Sequence, residues 1–372
     1  MRGRCLLLLP ILCFPSLAVS QNAASAATAS GQQRIATPQL LKRPPAAPGS
    51  LDASGKKIRR ITLEVNVTDA AGKPVAGLTP ADFTVLDNGR PAKILSFSSV
   101  DDASPANPVQ IVLLLDSANN TFQGVAIERD QVAKFLSRNG AHLPVPTSIA
   151  LFSDSGIKID QPTLNGNVLI SALKKMPIPV RAISAAAGGE GAAERFQLSL
   201  RTLLQLLAYE GPKPGRKLLI WIGPGWPMLS GARAIMSERD QHLHWGSIVS
   251  FSTDLHETRT TLYSVDSLSS ESGLGYTAFY KHFLTPATGV KDANPGDLAL
   301  PVLALQSGGR VLYGSNDLAG EIASCVDDAR TFYTLAIQIS PSQTVNEYHT
   351  LNVKIAQPGL TARTSAGYYG LP

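Results

Sequence analysis

The chain has 372 residues, 44% of them hydrophobic and 16% charged, and a formal net charge of +5. That is a globular composition, long enough for one large domain and a smaller one, and it excludes a wholly disordered or fibrous chain. The charge is uneven: residues 21–60 hold seven basic residues against Asp52 alone, whereas residues 61–372 hold 24 basic and 27 acidic residues, which argues against nucleic-acid binding by the folded part.

Arg2 and Arg4 precede the apolar run LLLLPILCFPSL, and Ala18-Val19-Ser20 supplies a small-x-small cleavage pattern before Gln21. Residues 1–20 therefore read as a secretory signal, too short to span a bilayer stably. The mature chain is expected to be exported, periplasmic or extracellular, with no membrane span. Residues 21–57, rich in Ala, Ser, Gln and Pro, read as a disordered basic linker able to attach weakly to an anionic surface. Cys5 and Cys13 leave with the signal, so Cys325 is the one thiol of the mature chain and no intramolecular disulfide can form. Within the helical pattern EIASCVDDA, Cys325 reads as a small buried apolar residue.

From residue 58 to 100 the text alternates like strands. ITLEVNVTD places Ile61, Leu63, Val65 and Val67 on one face, and DFTVLDNGRPAKILSF holds a DNG turn between two short runs. From 108 to 328 apolar strand runs and helical patterns take turns: VQIVLLL, then IERDQVAKFLSRNG; SIALFS and GIKIDQ, then VLISALKKM; ERFQLSLRTLLQLLAYEG, then KLLIWIG; HWGSIVSFSTDLHETR, then TTLYSVD; and the short strand RVLYG between two helices. Such alternation predicts an α/β domain with a mainly parallel sheet covered by helices on both faces. From 331 to 372 FYTLAIQIS and HTLNVKIAQ alternate again. Residues 185–194, AAAGGEGAAE, read as a mobile small-residue loop. In open sheets of this kind ligands bind beyond the carboxyl ends of the strands, where Asp116 and the stretch Gly223 to Trp226 are expected.

The ordered fragments VTDAAGKPVAGLTPADFTVLDNGRPAKILSF, PVQIVLLLDSANN, GRKLLIWIGPGWP, LYSVD, LQSGGRVLYGSNDLAGEI and YHTLNVKIAQPGLTARTSAGYYG cover most of the mature body. In that order they resemble the bacterial secreted proteins related to the von Willebrand factor type A domain. The resemblance implies a Rossmann-like domain over 108–328, inserted in or flanked by a small β-sandwich made of 58–100 plus 331–372.

A complete type A domain holds a divalent cation in a metal-ion-dependent adhesion site. Its ligands are an Asp-x-Ser-x-Ser loop after the first strand, a threonine from a neighbouring loop and an aspartate after the fourth strand, all hard oxygen donors suited to Mg²⁺. Carried over residue by residue, the resemblance implies Asp116 at the first position, Asn120 at the second serine and Thr163 as the threonine. Ala118 stands where the first serine belongs, and Gly223, Pro224 and Gly225 replace the later aspartate. The expectation is a degenerate site on Asp116, Asn120 and Thr163 with no Mg²⁺ or Mn²⁺ and no other cofactor, in which Asp116 and Asn120 cap the following helix and satisfy loop amides. Asp154 or Asp160 are the residues that would have to replace a lost ligand.

His242 and His244 in SERDQHLHW, with Glu238, Asp240 and His256 nearby, have residue types that suit zinc. A His-x-His pair chelates from a strand or loop but diverges by about 200° on a helix, and a solvated loop is the favoured reading. GPGWP lacks the spacing of a nucleotide cradle, Trp226 reads as a packing residue, and no GxSxG, HExxH or nucleophile–base pair is visible. The sequence thus reads as an exported, non-catalytic binding module that meets a protein or a cell-envelope polymer at the carboxyl edge of its sheet. The alternative is a metal-dependent hydrolase at Asp116 or at His242/His244.

Overall fold

The computed structural model describes residues 32–34, 59–101, 107–178, 188–228, 236–267 and 279–370. The expected signal, residues 1–20, lies outside them. Of the expected linker, Gln32–Arg34 is described, and it forms strand β1 rather than coil, antiparallel to strand β8, Gly156–Asp160.

The large sheet is built on β6, Val109–Asp116, and β10, Arg216–Ile222, two apolar runs with hardly an exposed residue. Around them lie β7, His142–Ser153; β9, Thr163–Asn165; β11, Thr260–Ser267; and β12, Val311–Ser315. The order is β1-β8-β7-β6-β10-β11-β12, with β9 also on β7. Strands β7, β6, β10, β11 and β12 are mutually parallel, and β8 is antiparallel. Counted from β6 without the short β9, the strands run 3-2-1-4-5-6, the doubly wound order of Rossmann-like and type A domains. The chain reverses direction across the sheet between β6 and β10, so the crevice for a ligand opens above those two strands.

Alternate side chains of the central strands feed two cores. Ile111, Leu113, Leu115, Leu218, Ile220 and Ile222 pack toward helices α1, Phe122–Leu136; α3, Gly166–Lys175; and α7, Leu318–Arg330. Between α1 and α3, the short α2, Arg138–Ala141, is broken by left-handed Asn139 and Gly140. Val112, Leu114, Leu219 and Trp221 pack toward α4, Gly188–Glu210; α5, Glu238–Glu257; and α6, Leu300–Gln306. Burial on both faces is why these strands read as continuous apolar runs. Helix α4 takes in residues 188–194, so the expected small-residue loop is helical there; residues 185–187 lie outside the description. Cys325 is fully buried on α7, and burial pushes its thiol up to about 12, which leaves it inert. Among the described residues no helix is long and apolar enough to cross a membrane.

The two ends of the body meet in two four-stranded antiparallel sheets. One is ordered β15-β2-β13-β5 and the other β16-β14-β3-β4. The strands are β2, Arg60–Thr68; β3, Phe83–Asp87; β4, Arg90–Pro91; β5, Ile94–Asp101; β13, Thr331–Gln338; β14, Glu347–Ile355; β15, Thr361–Arg363; and β16, Gly367–Gly370. Leu63, Val65, Phe83, Val85, Leu335 and Leu351 lie in one shared core, as alternation of the two segments requires. Asn88 and Gly89, both left-handed at φ 49° and 75°, form the tight β3–β4 turn that the DNG sequence encodes.

Arg216, 1% exposed at the start of β10, joins the two halves. Its guanidinium donates to Asn66 Oδ1 at 2.7 Å and to the Asp328 carbonyl at 2.8 Å, and it lies 4.5 Å over the Phe332 ring. Asp328 is also met by Arg310, Arg363 and the Tyr263 hydroxyl. These buried charges are tolerable because they are paired and hydrogen-bonded.

Candidate functional site

Residues at even positions of β6 face α4, so Asp116 emerges at the carboxyl end of the strand on the same side as Trp221, whose neighbour in register is Leu114. That parity decides what the carboxylate meets. Trp221 donates its indole N–H to Asp116 Oδ2 at 2.8 Å, Asn119 donates its side-chain amide to the same oxygen at 2.9 Å, and the Asn119 backbone N–H reaches Oδ1 at 3.0 Å. The Asn119 amide also reaches Ser199 Oγ on α4 at 3.0 Å. Beneath lies an aromatic cluster: the Trp221 ring is 5.6 Å from Phe152 and 5.1 Å from Trp226, both edge-on. Asp116 is completely buried, and burial, outweighing these donors, pushes its carboxyl up to about 6.

The loop closes onto α1 through other residues than expected. Thr121 is the N-cap, its hydroxyl accepting from the Gly124 N–H at 3.0 Å. Asn120 instead accepts from the Thr121 N–H and donates to Glu128 Oε1 at 2.8 Å, tying the loop to a fully buried glutamate nearly two turns into the helix. Asn120 can tuck there because residue 124 is glycine; a Cβ would lie 2.2 Å from Asn120 Oδ1. Capping by Asp116 and Asn120 is thus corrected: Thr121 caps, and the other two hold the loop.

Thr163 does not belong to this site. It pairs with Thr147 of β7, whose partner in β6 is Ile111, so five strand positions, roughly 16 Å, separate it from Asp116. Asp154 sits in the turn between β7 and β8 at the carboxyl edge, while Asp160 follows Ile159, which pairs with Ala150 further down the sheet. Gly223 and Gly225 follow β10 with φ 135° and 72°, left-handed values that side chains resist. A Cβ on Gly223 would lie 3.0 Å from Asp116 Cβ, so an aspartate there would strain the loop. The residues present therefore do not fit a Mg²⁺ centre: the Asp116 oxygens already accept three N–H donors, and the positions of two further ligands hold alanine and glycine.

His242 and His244 lie on helix α5 rather than on the expected loop, so their side chains diverge by about 200°. Burial lowers His244 from its ordinary value, and Asp240 offsets part of that. His256, twelve residues along the same helix from His244, is pushed down to about 4 by burial beside a cleft with about 40 Å³ of free space, lined also by Glu64 and Arg259. Among the described residues no group of three His, Cys, Asp or Glu side chains could hold a metal ion. Trp226 packs, its indole N–H donating to the Leu298 carbonyl at 3.0 Å.

The surface of the site is apolar at one point. Phe122, the first residue of α1, is 61% exposed, and Ile127, five residues on, is 36% exposed.

The sequence reading missed a second constellation, in the sandwich. His349 of β14 contacts Asp87 Oδ1 at 2.9 Å through Nδ1 and Ser342 Oγ at 3.1 Å through Nε2. These residues are as far as 262 positions apart. The one trace in sequence is that His349 occupies an inward position of an alternating strand, where a polar side chain needs a partner.

No family model and no curated protein matches the sequence. Among solved structures, the chain is similar to proximal thread matrix protein 1 from the mussel byssus at 13% identity, with 62% of this chain and 49% of that one covered and a TM-score of 0.31. It is similar to the pilus adhesin SpaC of Lactobacillus rhamnosus GG at 9% identity, with 79% and 48% covered and a TM-score of 0.35. It is also similar to BatB of Bacteroides thetaiotaomicron at 10% identity, with 60% and 98% covered and a TM-score of 0.28. The chain spans about half the length of the first two. The 3-2-1-4-5-6 strand order, not these overlaps, makes the large domain type A-like.

Proposed function

We propose that the large domain serves as an exported binding module, not a catalyst, and that it meets a protein or cell-envelope polymer with the surface around the Asp116 loop. The observation that carries this reading is the position of Phe122. A large apolar side chain, 61% exposed, stands directly after that loop, beside the switch point where doubly wound sheets take their ligands. Exposed aromatics at such a place supply anchor residues for a partner. The filled hydrogen bonds of Asp116 leave the loop a shape to be recognised, with no oxygen offered to a cation bridging to an acidic partner. Export rests on residues 1–20, and the basic linker would let the module stand off an anionic surface.

The test is capture from envelope extracts by the immobilised chain, in EDTA and in Mg²⁺, with Phe122→Asp alongside. The proposal requires a partner held equally in both buffers and lost at least tenfold, about 1.4 kcal/mol, in the variant. Retention by Phe122→Asp, or capture only in Mg²⁺, refutes it.

A further inference from the structure

We propose that Ser342, His349 and Asp87 form an acyl-transfer centre in the sandwich, acting on small uncharged acyl esters. Side chains from two distant parts of the chain make a nucleophile–base–carboxylate relay: Ser342 Oγ to His349 Nε2 at 3.1 Å, and His349 Nδ1 to Asp87 Oδ1 at 2.9 Å. Such relays are recognised by geometry and roles, not by chain order. Asp87, 2% exposed, is held in place by the Ser340 N–H at 3.1 Å and the Tyr368 hydroxyl at 3.2 Å, and Tyr368 stacks on the imidazole with ring centres 4.8 Å apart. In the tautomer with its proton on Nδ1, facing Asp87 and the Tyr368 hydroxyl 3.1 Å away, Nε2 would be the acceptor facing the serine.

A second observation points to an oxyanion. The backbone N–H groups of Gln343 and Thr344, directly after the serine, both aim at Glu347 Oε2, at 2.5 and 3.4 Å. A negatively charged oxygen therefore already sits against the two amides next to the nucleophile, where the oxygen of a tetrahedral intermediate would be stabilised. Glu347 is the stand-in and the competitor for that place. Residue 370 is glycine, and a Cβ there would lie 1.9 Å from Ser342 Oγ, so only glycine leaves the hydroxyl free of a steric block on that side. Ser342 lies in the turn between β13 and β14, flanked by exposed Pro341, Gln343 and Thr344, and is itself 7% exposed. A hydroxyl so little exposed can be reached only by a short acyl group.

Ser342 Oγ bonds to the ester carbonyl carbon while its proton passes to His349 Nε2. The carbonyl electron pair moves onto oxygen, which displaces Glu347 from the two amides. Collapse breaks the bond to the alcohol, which leaves with the proton from His349. Water then repeats the sequence on the acyl-serine, releasing the acid and restoring the serine; the sum is ester plus water to acid plus alcohol. The relay is separate from the Asp116 surface, and neither reading depends on the other.

The purified chain is treated with a fluorophosphonate probe, the modified residue is located by mass spectrometry, and p-nitrophenyl acetate hydrolysis is followed with the wild type, Ser342→Ala, His349→Gln and Glu347→Gln. The expected results are phosphonylation at Ser342, loss of at least about 100-fold in esterase rate in the first two variants, and faster labelling in Glu347→Gln. The wild-type labelling needs no variant to fold. Phosphonylation no greater at Ser342 than at other serines, or an esterase rate that survives Ser342→Ala, overturns the proposal.

Discussion

The burial of Asp116 makes a pH-dependent prediction whose size can be worked out. Its carboxyl is raised from 3.8 to about 6, chiefly because burial penalises the charged form. A raised carboxyl binds protons more tightly in the folded chain than in the unfolded one. Between the two values stability therefore falls as pH rises, and the full penalty is present above about 6. About two units at 1.36 kcal/mol each give roughly 3 kcal/mol. Asp116→Asn removes the titration. It also turns an N–H donor toward the Trp221 indole N–H, which destabilises the variant by a fixed amount, about 1–3 kcal/mol. That amount does not vary with pH, so the slope of the difference between the two proteins isolates the carboxyl. Other groups titrate in the same range, His256 lowered to about 4 and Asp297 raised to about 7, both by burial first, but they are common to both proteins and cancel. Urea unfolding midpoints of wild type and variant between pH 4 and pH 7 should show the variant gaining about 2–3 kcal/mol relative to wild type across that interval. A difference that stays flat, or that moves in favour of wild type as pH rises, refutes the assignment of Asp116 as a buried, unmetallated carboxylate.

Trp221→Phe removes the indole N–H that holds Asp116 and loosens the contacts with Phe152 and Trp226; chemical denaturation should record a loss of about 2–4 kcal/mol. Gly223→Ala forces a side chain onto a left-handed residue 3.0 Å from Asp116 Cβ, and thermal melting should register a cost of about 1–3 kcal/mol, larger than for alanine at exposed Gly246. Arg216→Met leaves Asn66 Oδ1 without its donor at the junction of the halves, while the Asp328 carbonyl keeps the Asn66 side-chain amide at 2.8 Å. Loss of about 1–3 kcal/mol is expected, with hydrogen exchange speeding up in β2 and β13 together.

How far these residues were legible in sequence depends on whether their meaning is local. Strands β6 and β10 are apolar from end to end because both their faces are covered, and that pattern alone placed Asp116 at a strand's carboxyl end. The two sandwich segments alternated because each has one inward face, which made their shared core foreseeable. Register is not local. Trp221 reads as one more apolar residue of KLLIWI until strand pairing puts it beside Asp116, and Thr163 reads as a ligand until its pairing with Thr147, in the middle of β7, puts it five strand positions from Asp116. The helical start of α4 was hidden by glycines and alanines that read equally well as a loop. His242 and His244 read as a solvated loop, yet Ser237 caps a helix there, its side chain accepting from the Asp240 N–H. The Ser342, His349 and Asp87 relay joins both ends of the chain and has no spacing that a motif search could use.

The holding of Asp116 by N–H donors instead of a cation is tested most directly by calorimetric titration of the purified chain with Mg²⁺ and Mn²⁺ at neutral pH. It predicts no binding tighter than about 1 mM and traces for wild type and Asp116→Ala that superimpose. Sub-millimolar binding at one site per chain, abolished by Asp116→Ala, contradicts it.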